Sequence, residues 1–171
     1  TLVPQTAADL LYLPTVADEC AQADVESGAE PGTAATLLAE LGSYLPGDRD
    51  PRDLSEGQRL ALVLAIQLTA SPPVVLLDEP TRGLDYQTKA DLQRIVTRLA
   101  ASGVAVLIST HDVEFAAGVS DRSILMADGE IVAEGNTRTL LTSSVAYAPQ
   151  MAKVFAPLPF LTADDVARGM A

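Results

Sequence analysis

Two short apolar runs separated by a helical pattern stand out in the middle of the sequence. Val74 to Leu77 and Val104 to Ile108 are rich in β-branched residues and leucine, without alternating polar positions. Such runs are typical of strands buried on both faces of a parallel sheet. Between them, Tyr86 to Ala101 has apolar residues on one helical face and precedes the helix-ending Gly103. With a further helix at Val113 to Ala117, this order predicts an α/β fold with a parallel sheet.

The residues before these runs predict a short strand, a helical insert and a long helix. Leu2 and Val3 precede Pro4, which cannot donate a ladder hydrogen bond and so tends to stand where a strand ends. Between residues 7 and 45 the pattern is helical in pieces, interrupted by proline and glycine. The predicted pieces of this insert are a first one with Leu10, Leu11 and Leu13, then Val16 to Val25 and Thr33 to Leu41. A long helix then runs through Arg59 to about Ala70, and either Asp53 or Ser55 can cap it.

The residues after the second apolar run predict a hairpin and a tail. Ser123 to Met126 and Glu130 to Ala133 flank an Asp-Gly pair, which favours a tight hairpin turn. Near the end, Thr162 followed by Asp165 suits a capping box for a short helix. We therefore expect three segments: a helical subdomain over residues 1–53, an α/β core over 54–135 and a C-terminal tail over 136–171.

Composition and charge narrow the function classes. The chain has 171 residues, 48% of them hydrophobic, and a formal net charge of −12. Because no cluster of Lys and Arg stands out, neither DNA nor RNA is an expected partner. The single cysteine, Cys20, cannot form an internal disulfide, and no signal segment opens the sequence, which favours a reducing cytoplasmic setting. The longest apolar stretch is far shorter than the roughly 20 residues that cross a bilayer, so membrane association would need a partner.

Two adjacent acids, Asp78 and Glu79, follow the first apolar run directly. This position is the carboxyl edge of a parallel sheet, where ligands of open α/β folds bind. In ATP hydrolysis, one such acid helps to hold Mg²⁺ near the phosphates and a second carboxylate orients the attacking water. We therefore expect Asp78 to bind the metal and Glu79 to act on the water. The alternative is a turn with two solvated charges.

The segment Leu54-Ser55-Glu56-Gly57-Gln58 begins the long helix. Ser55, Gly57 and the first helical turn would present a hydroxyl, open backbone N–H groups and the positive end of the helix dipole, which suit a phosphate. An ordinary capped helix start is the alternative. Glu56 would repel a phosphate unless its carboxylate points away.

The only histidine, His111, follows the second apolar run. A lone histidine is often structural. Together, however, Leu54 to Gln58, Leu76 to Pro80, Gly83-Leu84-Asp85 and Ser109 to Asp112 resemble, in order and spacing, the second half of an ATP-binding-cassette (ABC) ATPase. The resemblance implies the C-terminal portion of a P-loop NTPase fold, with ATP and Mg²⁺ as ligands.

In this family the matching residues have assigned roles. The resemblance implies that His111 contacts the γ-phosphate and helps to fix Glu79, and that Ser55, Gly57 and Gln58 contact ATP held by a second cassette. It also implies that Asp85 links the two cassettes, although for this residue a helix N-terminal acid is an equally simple interpretation. Gln5 is similar to the glutamine that contacts Mg²⁺ or the attacking water and couples the site to a transmembrane partner.

The compact insert between Gln5 and Leu54 resembles that of transporters rather than the long coiled coil of chromosome-maintenance and repair ATPases. Leu2 to Gln5, Asp9 to Val16 and Asp78 to Asp85 resemble most the ATPase of energy-coupling-factor importers. This likeness implies a second ABC domain, a transmembrane subunit and a place at the cytoplasmic face of the membrane. Three residues are expected to be exposed and to dock on that subunit: Leu10, Tyr12 and Val16. The alternative is that these side chains pack the core of the insert itself.

The phosphate loop G-x-x-x-x-G-K-[ST] is absent from the 171 residues. We therefore expect this chain to be the C-terminal half of a longer domain, inactive alone, with an exposed sheet edge and apolar face. One alternative is a degenerate, non-catalytic cassette, which supplies only the segment from Ser55 to Gln58 to a complete partner cassette. A soluble ABC ATPase of repair or translation is another.

Overall fold

A computed structural model of the protein describes residues 1–143, 148–156, 158 and 160–169, so part of the predicted tail lies outside the described residues. The chain forms two compact units, Thr1–Ser109 and Thr110–Ala171. This division differs from the three segments expected from the sequence, which stay a prediction.

The first unit contains a parallel sheet and four helices. In chain order its regular elements are β1 (Leu2–Val3), α1 (Val16–Ser27), α2 (Thr33–Glu40), α3 (Glu56–Leu68), β2 (Val74–Asp78), α4 (Tyr86–Ala101) and β3 (Ala105–Ser109). The strands pair in parallel in the order β1-β2-β3, with Val3 opposite Leu77 and Leu77 opposite Ile108. The strands, the helix that joins β2 to β3 and the parallel pairing are therefore confirmed.

The sheet is buried on one face only. Val3, Val75 and Leu77 are at most 2% exposed, whereas Leu2 is 53% and Leu107 is 61% exposed on the opposite face. Because α3 contacts β1 and α4 contacts β3, helices cover only the buried face in the described part of this unit. The prediction of strands buried on both faces was therefore wrong here. The exposed apolar face and the open outer edge of β3 agree with the expectation.

The helical subdomain has a core of its own, formed by α1, α2 and α3. Its buried residues are Val16, Cys20, Ala23, Ala34, Leu38, Leu54, Ala61, Leu62 and Ala65. Val16 is 3% exposed, so the expectation that it docks on a partner is wrong. The first turn of α1 directs this side chain inward, because the neighbouring Thr15 caps the helix and fixes its start. Burial raises the pKa of the Cys20 thiol to about 11, and the side chain is packed within this core.

Two buried acids hold the subdomain together through backbone N–H groups. The Asp24 carboxylate, 4% exposed, accepts hydrogen bonds from the N–H of Gly32 at 2.6 Å and of Ala34 at 2.8 Å. It thereby satisfies donors at the start of α2, where the N-cap residue Gly32 has no side chain to do so. The Glu19 carboxylate accepts from the N–H groups of Tyr12 and Leu13, which fixes the segment between β1 and α1.

The second unit is built around a β-hairpin. Its elements are α5 (Val113–Val119), β4 (Arg122–Ala127), β5 (Glu130–Asn136), α6 (Thr137–Ser143), α7 (Gln150–Val154) and α8 (Ala163–Gly169). The predicted Asp-Gly turn is confirmed, with positive φ angles at Asp128 and Gly129. The predicted capping box is confirmed as well, because Thr162 and Asp165 exchange backbone-to-side-chain hydrogen bonds at 3.1 and 3.2 Å. No helix in the described residues of the chain has the length and apolar character needed to cross a bilayer.

We predict that Asp24→Ala lowers the free energy of unfolding by about 2 kcal/mol, because it leaves the buried N–H of Ala34 and the partly buried N–H of Gly32 without an acceptor. Chemical denaturation followed by circular dichroism measures the loss. The control is Asp48→Ala, which removes the same charge from an exposed loop and should change stability by less than about 0.5 kcal/mol. Equal effects of the two substitutions would contradict the capping role.

Candidate functional site

The paired acids lie at the carboxyl end of β2, as the sequence predicts. Asp78 is the last residue of β2 and stands opposite Ser109 of β3. The N–H of Glu79 donates to the carbonyl of Ser109 at 2.8 Å, so the strand pairing extends one residue beyond the strand. Asp78 is exposed and Glu79 is half-buried. The sheet therefore presents two carboxylates at the edge where ligands of such folds bind.

Glu79 has a strained backbone. Its φ angle is +47°, in the left-handed region that residues other than glycine rarely adopt. Such a conformation costs about 1–3 kcal/mol and persists where the surrounding structure imposes it. Here the hydrogen bonds of the Glu79 N–H to Ser109 and of the Arg82 N–H to the Glu79 carbonyl impose it. Strain of this kind clusters at functional sites, and it sets the direction in which the Glu79 side chain leaves the strand.

Gln5 lies near Glu79, although the two residues are 74 positions apart in the chain. Both line a shallow pocket, together with residues of the segments that follow β1 and β2. The structure therefore brings Gln5, which the sequence marked only by its position, to the end of the strand that carries the acids. Carboxylate and amide oxygens fit Mg²⁺, which in nucleotide sites uses one or two carboxylates with substrate phosphates rather than an all-protein cage.

The segment predicted to contact phosphate forms the N-terminus of α3. Ser55 is the N-cap, not Asp53, and a capping box is complete. The Gln58 N–H donates to the Ser55 hydroxyl at 3.3 Å, and the Ser55 N–H donates to the Gln58 side-chain oxygen at 3.0 Å. Among the described residues, no acceptor bonds the N–H groups of Glu56 and Gly57. The turn is thus a capped helix start that also leaves two N–H groups for an anion.

Glu56 is neutralised within its own helix. Its carboxylate accepts from the Arg59 guanidinium at 2.5 Å, one turn along α3. Arg59 also donates to the carbonyl of Arg52, which holds the guanidinium in place. The carboxylate is therefore directed along the helix toward Arg59 and paired with a cation, which lowers its repulsion of an anion at the turn.

Asp85 is the N-cap of α4, and its carboxylate accepts the Thr88 N–H at 2.8 Å. Hydrogen bonds from the Thr88 backbone and then the Thr88 side chain lower the pKa of Asp85 from its ordinary value of 3.8. The helix-terminal interpretation is therefore confirmed, and a role between two cassettes stays a prediction. Thr88 itself carried no sequence signal, because a threonine three residues after a cap is common.

His111 belongs to the second unit. It is exposed and directly precedes Asp112, which caps α5 by accepting the Phe115 N–H at 3.0 Å. The first unit therefore assembles Gln5, Asp78 and Glu79 at one sheet edge, whereas the predicted role of His111 stays a prediction.

Comparison with known proteins agrees with this geometry. A family model described as "AAA domain, putative AbiEii toxin, Type IV TA system" matches residues 46–117. The "Putative ABC transporter ATP-binding protein" of Streptomyces avermitilis is 53% identical over 173 residues, which cover 99% of this chain and 30% of that protein. A similarly described protein of Streptomyces coelicolor is 54% identical over 165 residues, or 96% of this chain and 29% of that protein. The chain belongs to the ABC transporter ATP-binding protein family.

A solved structure supports the fold. CbiO1 of Clostridium perfringens, part of the ABC transporter complex cbiONQ, matches with a TM-score of 0.77 at 22% identity, over 99% of this chain and 66% of that chain. The architecture is therefore that of the ABC ATPase cassette, specifically of its C-terminal portion. This ABC-family chain spans under a third of the length of its two Streptomyces relatives.

We predict that the stabilising effect of the Asp85 charge disappears in acid. Because the pKa is lowered in the folded protein, the ionised carboxylate contributes stability above its ordinary pKa, and this contribution is lost as the pH falls through the lowered value. Wild-type protein should therefore be more stable than Asp85→Asn at neutral pH, and the two should converge once the pH falls below the lowered pKa of Asp85.

Urea unfolding at a series of pH values measures this difference. Asparagine can still accept the Thr88 N–H, so the cap itself is retained and only the charge is lost. The control is Asp48→Asn, which changes an exposed loop acid and should show no such pH-dependent gap. A gap between wild type and Asp85→Asn that widens in acid would contradict the assignment.

Proposed function

We propose that this chain forms part of the ATP-hydrolysing motor of an ABC membrane transporter of the energy-coupling-factor type. The observation that carries the proposal is the end of β2, where Asp78 and the strained Glu79 stand beside Gln5. A carboxylate pair at this edge has the chemistry to hold a metal–phosphate group and to polarise water. The family relationship supports the same function.

Each residue of the edge has a distinct task in this proposal. Asp78 and Gln5 would hold Mg²⁺, which would supply positive charge to neutralise the phosphates of ATP. Glu79 accepts a hydrogen bond from the attacking water and orients it, and its fixed backbone limits the positions of the carboxylate. His111 contacts the γ-phosphate and restrains Glu79.

The N-terminus of α3 acts on a second nucleotide. Ser55 and the open N–H groups of Glu56 and Gly57 receive the γ-phosphate of ATP that a second ABC domain holds. Gln58 completes this surface through the capping box, and Asp85 lies at the contact between the two domains. Two domains would thus close around ATP, which couples binding to movement of a transmembrane subunit.

A relative that is named for cobalt import supports the assignment to the energy-coupling-factor type. The "Cobalt import ATP-binding protein CbiO" of Rhodobacter capsulatus is 33% identical over 156 residues, which cover 86% of this chain and 54% of that protein. We propose that the chain docks on its transmembrane subunit through Tyr12, which is 64% exposed, and Leu10, which is half-buried. This docking would place it at the cytoplasmic face of the membrane.

Two alternative functions predict different behaviour from that of a transporter motor. A degenerate cassette would donate only Ser55 to Gln58 and would tolerate loss of Glu79. A soluble ABC ATPase of repair or translation would hydrolyse ATP without a transmembrane subunit. Both acids are present, and Glu79 stands in a strained, hydrogen-bonded turn, which favours the catalytic cassette over the degenerate one.

We predict that Glu79→Gln abolishes catalysis when this chain is part of a complete protein that also holds a phosphate loop. Hydrolysis of ATP should fall by about 100-fold or more, because the amide cannot polarise water as the carboxylate does, while ATP still binds. Phosphate release and nucleotide binding measure the two effects. The control is Glu30→Gln, which alters an exposed acid in the loop between α1 and α2. Equal hydrolysis by wild type and Glu79→Gln would favour the degenerate cassette.

We also predict that the 171-residue chain alone does not hydrolyse ATP, because it lacks the backbone cradle and lysine of a phosphate loop. A malachite-green assay with Mg²⁺ and ATP measures this. Turnover that Glu79→Gln removes would refute the prediction.

A further inference from the structure

The first turns of α3 and α4 approach each other closely at Gly57 and Thr88. Gly57 is the second residue of α3, and Thr88 is the third residue of α4. A Cβ atom added to Gly57 would overlap the γ-methyl of Thr88, at a separation that real Cβ atoms do not show. Only glycine therefore fits at position 57 while Thr88 keeps its present rotamer.

Thr88 lies in the capped first turn of α4. Its N–H donates to the Asp85 carboxylate at 2.8 Å, which fixes the Thr88 backbone. Threonine is β-branched, so few rotamers are open to its side chain in a helix. A larger residue at 57 must therefore either clash with the Thr88 methyl or force Thr88 into another rotamer.

The surroundings give this contact its importance. Beyond it, α3 and α4 line a cavity of about 260 Å³ whose apolar wall includes Leu60, Leu64 and Leu92. Because this space is not filled by side chains, packing there does little to fix the separation of the two helix starts. The Thr88 methyl is thus the part that sets where the first turn of α3 lies relative to the capped start of α4.

We propose that Thr88 is a positioning residue for the α3 turn: its backbone is anchored by Asp85 and its methyl fixes Gly57. The proposal rests on the function proposed above for that turn, since the positioned groups are the open N–H groups of Glu56 and Gly57. It also explains, without reference to a ligand, why position 57 is a glycine: Thr88 occupies the space that a larger side chain would need.

A double-mutant cycle tests the contact without reference to ATP. In the wild-type background, Gly57→Ala should lower the midpoint of thermal unfolding by about 4–8 °C, the usual effect of overpacking in a protein of this size. In a Thr88→Ser background, which removes the methyl and keeps the hydroxyl, the same change should be neutral or raise the midpoint by up to about 4 °C. Alanine favours a helix over glycine once the clash is gone.

The matched control is Thr88→Val, which keeps a methyl toward Gly57 and removes the hydroxyl. In this background Gly57→Ala should remain destabilising. A Gly57→Ala effect that is the same with threonine, serine and valine at position 88 would overturn the proposal, and so would a neutral Gly57→Ala change in the wild type.

Kinetics of the complete protein test the positioning role. Thr88→Ser should raise the KM for ATP by about threefold or more, with kcat within about twofold of the wild type, because the α3 turn loses its support while the acids at β2 are untouched. Unchanged KM and kcat would limit the contact to stability and overturn the positioning role. If the wild type hydrolyses no ATP, the proposed function fails, and the double-mutant cycle alone decides the contact between Thr88 and Gly57.

Discussion

The parallel pairing of β2 with β1 and β3 is the constraint on which the candidate site depends. It aligns the ends of three strands that are far apart in sequence, and thereby brings Gln5 to the acids that follow β2. The hydrogen bond from the Glu79 N–H to the Ser109 carbonyl continues that pairing and holds Glu79 in a left-handed conformation. Without the third strand, neither the strain nor the direction of this side chain would be maintained.

The same sheet explains why the first unit combines a firm core with an exposed apolar surface. Its inner face is closed by α3 and α4, whereas Leu2 and Leu107 remain open to solvent on the outer face. Full burial of such a side chain contributes about 1.5–3 kcal/mol, so this face has stabilisation still to gain from a covering segment.

Much of this arrangement could be predicted from the sequence, because apolar runs, cap residues and turn pairs act locally. The strands, the capped start of α3 and the position of Asp78 and Glu79 follow from such patterns. Burial was less predictable: the periodicity of a helix does not say which face meets a core, and Val16 proved to be buried. The contact of Gly57 with Thr88 joins residues 31 positions apart, and no local pattern encodes it.

The start of α3 shows how an acidic residue is accommodated in a turn that is proposed to bind an anion. A carboxylate at position 56 would oppose an anion at the start of α3, since two like charges at short range repel by several kcal/mol in a partly buried site. Arg59 lies one helical turn away, and its side chain is only 19% exposed, so its charge is poorly screened by water. The pair therefore leaves the turn close to neutral. The helix dipole and the open N–H groups of Glu56 and Gly57 then determine its preference for an anion.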